Sequence, residues 1–253
     1  MRLTVVGCSG SFPGPESPAS CYLLQAPYEG RTYALVLDLG NGALGALQRH
    51  VELADVDAVA LSHLHVDHSV DLASFYVVRS YHPAGRLPRL PVVAPAGAAA
   101  WLARLYDLPE TSGMSDVFDF AAWTAGEPLR LGPFLLRVAR VSHPVEAYAV
   151  RVDAGGRSLV YSGDTGPCGA LVDLARGADV LLCEASFLEG ADNPPDLHLT
   201  GREAGEHAAA AGVGRLLLTH VPPWHDPQQV LSDARPAFAG PLDLARPDAT
   251  YPV

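Results

Sequence analysis

The feature that most constrains this chain is a cluster of three histidines and one aspartate within six residues. The stretch reads His63-Leu64-His65-Val66-Asp67-His68 and follows the alternating apolar run 56–60, which predicts a buried strand. Apolar residues with helical spacing follow it at 70–77, so the cluster lies in a loop between two regular elements. Imidazoles and a carboxylate that share one pocket lose solvation, and a bound cation offsets that cost. The cluster predicts a metal site, and the alternative is a solvated polar turn.

The composition is that of a globular protein. The chain has 253 residues, of which 49% are apolar and 18% charged. Because it contains no low-complexity segment and no clear linker, we expect one domain over residues 1–253. No apolar run approaches the roughly 18–20 residues of a membrane span. Residues 1–7 have the pattern of a strand rather than of a signal peptide, so we expect a cytoplasmic protein.

The net charge and the cysteine content argue against a binder of long nucleic acids and against a cysteine-based scaffold. The formal net charge is −11, and Lys and Arg form no cluster. A long nucleic acid is therefore not an expected partner, whereas a small anionic substrate remains compatible with the charge. The four cysteines, Cys8, Cys21, Cys168 and Cys183, form no CxxC pair, which predicts reduced thiols rather than a zinc knuckle or a disulfide framework.

The order of elements predicts two packed sheets with helices outside. Strands are expected at 2–7, 20–26, 31–38, 56–60, 91–94, 133–142, 146–153, 157–162, 179–183 and 215–219. Helices are expected at 41–50, 70–77, 96–106, 169–176, 201–211 and 226–235. Thr200 and Glu203 have the spacing of a capping box at the start of the helix 201–211. The segment 107–123 has no regular pattern, and we interpret it as a lid or an oligomer contact.

Four more polar residues occupy one kind of position, just after an apolar strand. They are His143, Asp164, Glu184 and His220. Strand ends at one edge of an α/β core are where sites assemble, although each residue alone could simply cap its strand. Without Glu184, the set contains five histidines and two aspartates, which suffices for two metal ions. Nitrogen and oxygen ligands without thiolate suit Zn²⁺ first, with Mn²⁺ or Fe²⁺ as alternatives.

His198 precedes the capped helix, so it can be held in place without being a ligand. An imidazole beside a metal centre is a suitable proton donor to a leaving oxygen, and the alternative is a solvated loop histidine. The other histidines, His50, His82, His207 and His225, are not included in the site. The loop Gly7–Pro15 lacks the sequence of a phosphate-binding loop, and it is either a tight turn or a loop that faces substrate.

Together the motif His63-x-His65-x-Asp67-His68, His143, Asp164 and His220 resembles the metallo-β-lactamase superfamily over nearly the whole chain. The resemblance implies an α/β fold, a four-layer αββα sandwich, with a dinuclear metal site at one edge. It also implies a division of the ligands. The first metal would be held by His63, His65 and His143, the second by Asp67, His68 and His220, with Asp164 bridging the two.

Further motifs indicate which branches of the superfamily the chain resembles. The segments 183–187 and 198–200, with His220, look like the tRNA 3′-processing (tRNase Z) branch, which hydrolyses phosphodiesters. In that branch a long arm that grips tRNA usually lies between the counterparts of His143 and Asp164. Here only 20 residues intervene, enough for a hairpin. Five segments resemble more closely the atypical class II cyclic-nucleotide phosphodiesterases: 7–11, 17–20, 161–166, 195–199 and 219–224.

The resemblance implies a dinuclear metal-dependent phosphodiesterase that hydrolyses a small nucleotide, above all a cyclic mononucleotide such as cAMP. Asp67 would orient the attacking water or accept its proton. His198, with Glu184 behind it, would protonate the departing ribose oxygen. A homodimer is implied by the resemblance alone. The alternatives are a tRNase Z-like RNA 3′-end endonuclease and a metal-binding sensor, which the complete ligand set and the proton donor argue against.

Overall fold

The computed structural model describes residues 1–109 and 114–253. Its strands are β1 Arg2–Gly7, β2 Cys21–Tyr28, β3 Arg31–Leu37, β4 Ala58–Ala60, β5 Leu90–Ala94, β6 Phe118–Ala122, β7 Leu129–Leu131, β8 Phe134–Arg140, β9 Tyr148–Ala154, β10 Arg157–Tyr161, β11 Val180–Glu184, β12 Leu216–Thr219, β13 Leu242–Leu244 and β14 Thr250–Pro252. Its α-helices are α1 Ala43–Leu47, α2 Val66–Ser69, α3 Asp71–Ser80, α4 Ala98–Leu105, α5 Gly169–Ala175, α6 Gly201–Ala211 and α7 Pro227–Ala234.

The strands form two seven-stranded mixed sheets. The first has the order β14-β1-β2-β3-β4-β5-β6, and the second has the order β13-β12-β11-β10-β9-β8-β7. In the first sheet β3, β4, β5 and β6 pair in parallel. In the second, β10, β11, β12 and β13 do the same. Each sheet therefore has a parallel half and an antiparallel half.

Apolar side chains on both faces of each sheet create the layers. In β3, Leu35 and Leu37 pack between the two sheets, whereas Ala34 and Val36 pack towards the helices of the first sheet. In β12, Leu217 likewise faces the space between the sheets, and its neighbours face α5, α6 and α7. Side chains alternate between faces along a strand, so an unbroken apolar run is what a strand buried on both sides requires. The result is the expected αββα sandwich.

Most predicted elements are confirmed in type and place, but the His/Asp cluster is not entirely in a loop, because Asp67 and His68 lie on the short helix α2. The segment 107–123 was predicted to be irregular, but Phe118–Ala122 forms β6 and pairs with β5. The expected lid or oligomer contact falls in part on residues 110–113, which lie outside the described residues. The sequence analysis missed β7, β13 and β14, because strands of three residues are too short to show a period of two.

Two expectations from composition can be compared with the structure. All four cysteines are free, as predicted. None of the helices in residues 1–109 and 114–253 has the length and apolar character that crossing a bilayer requires.

The topology brings several strand ends to one edge of the sandwich. The strands β10, β11 and β12 run in parallel, so the residues that follow them emerge side by side. Since β8 and β10 are each antiparallel to β9, the residues that follow β8 emerge at this same edge. In the first sheet, β3 and β4 also end together. His63, His143, Asp164 and His220 follow these strands, and Glu184 is the last residue of β11.

The capping box at α6 generates a stability prediction. The Thr200 hydroxyl accepts a hydrogen bond from the Glu203 amide, and the Glu203 carboxylate accepts one from the Thr200 amide. Replacing a capping threonine with alanine costs about 0.5–2 kcal/mol, so Thr200→Ala should lower the free energy of unfolding by that amount in urea denaturation. Thr200→Ser keeps the hydroxyl and should stay close to the wild type. Equal midpoints for the alanine and serine variants would contradict the prediction.

Candidate metal centre

Four of the predicted ligands form a first group at this edge. His63, His65, His143 and Asp164 each offer an atom, and these atoms all lie within 4.8 Å of one another. His63 Nε2 lies 3.0 Å from His65 Nδ1, and His143 Nε2 lies 3.2 Å from that same Nδ1. The ring nitrogens of three histidines thus converge on one point.

A second group of four lies beside the first. It contains Asp67, His68, His220 and again Asp164, with ligand atoms within the same 4.8 Å. His68 Nε2 and His220 Nε2 are 3.0 Å apart, and His220 Nε2 is 3.1 Å from Asp67 Oδ2. The structure therefore brings all seven predicted ligand residues together in two adjacent groups.

Asp164 belongs to both groups and offers a different oxygen to each. Its Oδ2 lies 3.7 Å from His63 Nε2 in the first group. Its Oδ1 lies 3.2 Å from His68 Nε2 and 3.5 Å from His220 Nε2 in the second. Asp164 is 2% exposed, and Oδ1 is buried without a hydrogen-bond partner. Burying a carboxylate oxygen without a partner costs free energy unless a cation binds it. The residues present therefore fit a metal between the two groups.

The ring nitrogens of His143 and His220 that face away from the centre are held by hydrogen bonds. His143 Nδ1 donates to the carbonyl of Leu197 at 3.0 Å. His220 Nδ1 donates to Ser186 Oγ at 2.7 Å, and that hydroxyl donates to the His220 carbonyl. Such contacts fix the tautomer and leave the other nitrogen unprotonated towards the centre, which is what a metal ligand requires.

Asp38 is a site residue that the sequence analysis missed. It is fully buried, and its carboxylate accepts hydrogen bonds from His68 Nδ1 at 2.8 Å and from the Ser62 hydroxyl at 2.7 Å. Ser62 Oγ in turn lies 3.1 Å from His63 Nδ1. The Tyr161 hydroxyl, from the other sheet, donates to the same carboxylate at 2.7 Å. Asp38 thus orients one histidine of each group.

A signal for Asp38 was present in the sequence. Asp38 directly follows the apolar strand β3, the placement that singled out Asp164 and His220. The residue was included in the predicted strand instead of being considered with the other strand-end residues. Its backbone is left-handed, with φ of 56°, and His220 has φ of 57°. Such conformations are uncommon outside glycine and cluster at functional sites.

Negative and positive charges are balanced across the centre. Burial raises the pKa of the Asp164 carboxyl, but the charges of His220 and His68 hold it well below its usual value. Burial likewise lowers the pKa of His68, yet Asp164 and the hydrogen bonds to Asp38 and Asp67 raise it well above its usual value. For His63 burial prevails and lowers the pKa. The carboxylates therefore demand positive charge, which divalent cations supply in place of protons.

His198 and Glu184 form a pair next to both groups. His198 Nδ1 donates to Glu184 Oε1 at 2.9 Å, and its ring centroid is 5.8 Å from that of His143 and 5.6 Å from that of His220. Burial lowers the pKa of His198, but the charge of Glu184 and this hydrogen bond raise it to about 9. Glu184 is fully buried and also accepts a hydrogen bond from the Thr165 amide at 2.7 Å. Glu184, His198 and His220 also offer ligand atoms within 4.8 Å of one another, but both Glu184 oxygens already accept hydrogen bonds from protein donors.

The histidines that were left out of the site have other partners. His50 Nε2 lies 2.7 Å from Asp248, and His82 Nδ1 accepts the Ala84 amide. His225 Nε2 accepts from the Trp224 indole. His207 Nδ1 donates to the Glu203 carbonyl, and its Nε2 accepts a hydrogen bond from the Cys168 amide.

Cys8 is not part of the centre. Its Sγ contacts Ser17 Oγ and the Ala245 carbonyl, each at 3.6 Å. Burial raises the pKa of the thiol to about 11, so it is protonated at neutral pH and a weak metal ligand.

Comparison with known proteins places this geometry in context. The profile described as "Beta-lactamase superfamily domain" matches residues 35–221. The chain is 48% identical to the uncharacterized protein Rv1339 of Mycobacterium tuberculosis, over 100% of this chain and 92% of that protein. It is 30% identical to the probable metallo-hydrolase YhfI of Bacillus subtilis, over 97% of each chain. The crystal structure of YhfI, a metallo-beta-lactamase fold protein, superposes with a TM-score of 0.87 over 99% of each chain at 29% identity. Ribonuclease Z of Myxococcus xanthus is 28% identical, over 97% of this chain and 95% of that protein.

The buried Asp38 carboxylate generates a prediction about metal affinity. Removing a carboxylate that orients metal-binding histidines typically costs 10- to 100-fold in affinity. Asp38→Asn should therefore weaken Zn²⁺ binding by about that factor, measured by competition with a chelator, because histidines of both groups lose their anchor. Tyr161→Phe removes one hydrogen bond to Asp38 and a longer contact of 3.4 Å with His68 Nδ1, but it leaves the Asp38 carboxylate in place, so it should have a smaller effect.

Thermal unfolding of the metal-free variants controls for damage to the fold. A metal affinity of Asp38→Asn equal to that of the wild type, in a folded protein, would show that Asp38 does not orient the ligands.

Proposed function

Because the chain belongs to the β-lactamase superfamily, we propose that the centre is the active site of a two-metal phosphodiesterase that acts on small nucleotides. The chain is a metal-dependent hydrolase, as its relatives and its groups of metal-binding side chains indicate, and the substrate is the proposed part. One observation carries the proposal: two ligand groups share Asp164, and the His198–Glu184 pair lies beside both. Two-metal centres suit the in-line displacement at phosphorus, in which an attacking and a leaving oxygen are stabilised together.

The ligand assignment follows the two groups. We propose that His63, His65 and His143 hold one ion, that Asp67, His68 and His220 hold the other, and that Asp164 bridges them. Zn²⁺ is the first choice for these nitrogen and oxygen ligands, with Mn²⁺ or Fe²⁺ as alternatives. When bound, two such ions polarise phosphoryl oxygens and acidify a water molecule.

The chain's own residues supply the proton transfers. The pKa of Asp67 is held well below its usual value by the hydrogen bonds to His220 and His68, which outweigh burial, so this carboxylate is ionised and can orient the attacking water. His198, held by Glu184, carries a proton that it can give to the leaving oxygen. An alkoxide of ribose is a poor leaving group without that proton, which is why the reaction needs His198.

The segment between His143 and Asp164 limits the size of the substrate. It is occupied by the hairpin of β9 and β10, which turns at Gly155 and Gly156. No room remains in these 20 residues for a long arm of the kind that grips tRNA. The net charge of −11 also disfavours a long polyanion. A cyclic mononucleotide such as cAMP fits both constraints.

A substrate panel tests the proposal. The protein reconstituted with Zn²⁺ or Mn²⁺ should hydrolyse 3′,5′- or 2′,3′-cyclic AMP with a higher kcat/KM than it shows for precursor tRNA. The similarity to ribonuclease Z makes a tRNase Z-like RNA 3′-end endonuclease the second candidate. Faster cleavage of precursor tRNA would favour that candidate. No hydrolysis of bis(p-nitrophenyl) phosphate with any of the metals would favour a metal-binding sensor.

The proton donor has its own test. His198→Ala should retain the metal content of the wild type, since we do not assign His198 as a ligand, but its kcat for a cyclic nucleotide should fall by about 10²–10⁴. Bis(p-nitrophenyl) phosphate serves as the matched control, because p-nitrophenolate leaves without protonation and its hydrolysis should fall much less. Equal losses on the two substrates, or an unchanged kcat, would remove His198 from the mechanism as a proton donor.

A further inference from the structure

Two loops beside the centre are bound to each other by backbone contacts. One follows β1, and the other follows β12 and begins at His220. Ser9 pairs with Val221 as an isolated β-bridge, and the Gly10 amide donates to the Val221 carbonyl at 3.2 Å. A Cβ atom at Gly10 would lie 2.2 Å from the His220 carbonyl oxygen, so only glycine permits this approach. The two loops are therefore fixed relative to each other and to His220.

Each loop carries a large aromatic side chain, and the two rings meet. The centroids of Phe12 and Trp224 are 4.8 Å apart, and their planes are inclined by 42°. Phe12 is 37% exposed and Trp224 is 64% exposed. The Trp224 indole donates to His225 Nε2 at 3.1 Å, which holds the ring in place. We call this pair the aromatic platform.

The aromatic platform is next to the second ligand group. The Ser11 amide lies 3.4 Å from His220 Nε2, the nitrogen that faces Asp67 and Asp164. Phe12 directly follows Ser11, and its Cα atom is therefore about 3.8 Å from that of Ser11. Neither ring lines the cavity of about 420 Å³ that these loops form with Gly14 and Pro223. Because Phe12 and Trp224 are both exposed, their rings can receive a flat group that extends from the centre.

We infer that the aromatic platform of Phe12 and Trp224 stacks the base of the nucleotide whose phosphate is held at the centre. The inference rests on the proposed function, because a nucleotide is what joins a flat aromatic base to a phosphodiester. Stacking on an aromatic ring accepts any base, since every base has a π-face. The platform therefore supplies affinity for nucleotides as a class, with little preference among bases.

Kinetics provide the first test. Removing an aromatic ring on which one base stacks typically lowers the binding affinity by about 5- to 100-fold. Trp224→Ala should raise KM for cAMP by that factor with little change in kcat, because the ring touches no reacting atom. Trp224→Phe restores a ring and should recover most of the affinity. Tyr81→Ala, at a residue that is 74% exposed and lies just after α3, serves as the matched control and should behave as the wild type.

Calorimetry separates this inference from the proposed function. The metal-loaded protein is titrated with AMP and with ribose 5-phosphate, which has the phosphate but no base. Trp224→Ala should weaken binding of AMP by about 5- to 100-fold and leave ribose 5-phosphate unchanged. This result without turnover of cyclic nucleotides would uphold the platform and reject the proposed function. Equal losses for both ligands, no loss for either, or a change in oligomeric state on sedimentation would overturn the platform.

Discussion

The buried carboxylate of Asp38 is the interaction on which the centre depends. It accepts a hydrogen bond from the Ser62 amide at 2.6 Å, and further hydrogen bonds from His68, the Ser62 hydroxyl and the Tyr161 hydroxyl. A charge without water is tolerated only when it is fully hydrogen-bonded or paired. Asp38 meets this condition because groups from both sheets donate hydrogen bonds to it. The donors that stabilise it are thereby placed where they orient His63 and His68.

The strand directions explain why one edge of the sandwich holds so much charge. Parallel strands deliver the residues that follow them to one edge, where the backbone is no longer bound into the ladder. His220 adopts a left-handed conformation at this edge, and Gly163, with φ of 58°, adopts one just before Asp164. A Cβ at Gly163 would lie 2.9 Å from the Tyr148 carbonyl, so the turn that presents Asp164 needs glycine. The apolar interior beneath supports these turns, since it keeps the strands in fixed register.

The sequence was sufficient for much of the site because metal ligands are chemically conspicuous. Three histidines within six residues, and single His or Asp residues after apolar strands, predicted side chains that the structure brings within 4.8 Å in each group. Asp38 was missed because one aspartate after a strand is common, and its importance comes from partners distant in the chain. Trp224 was noted only within a motif, because its contact with Phe12 depends on two loops that the sequence cannot place. The strand β6 was missed because its residues, 118–122, lack a simple alternation.

If the proposed function holds, charge and shape together explain how an acidic chain acts on an anion. With a net charge of −11, the surface repels a long polyanion along its whole length. At physiological salt that repulsion is screened beyond about 8 Å, whereas the proposed divalent cations would act at direct contact. A small phosphodiester would be held by this local positive charge and by the proton on His198. A polynucleotide would extend over the acidic surface without gaining further cationic contacts. The same centre thus gives a net attraction for small substrates and a growing penalty for long ones.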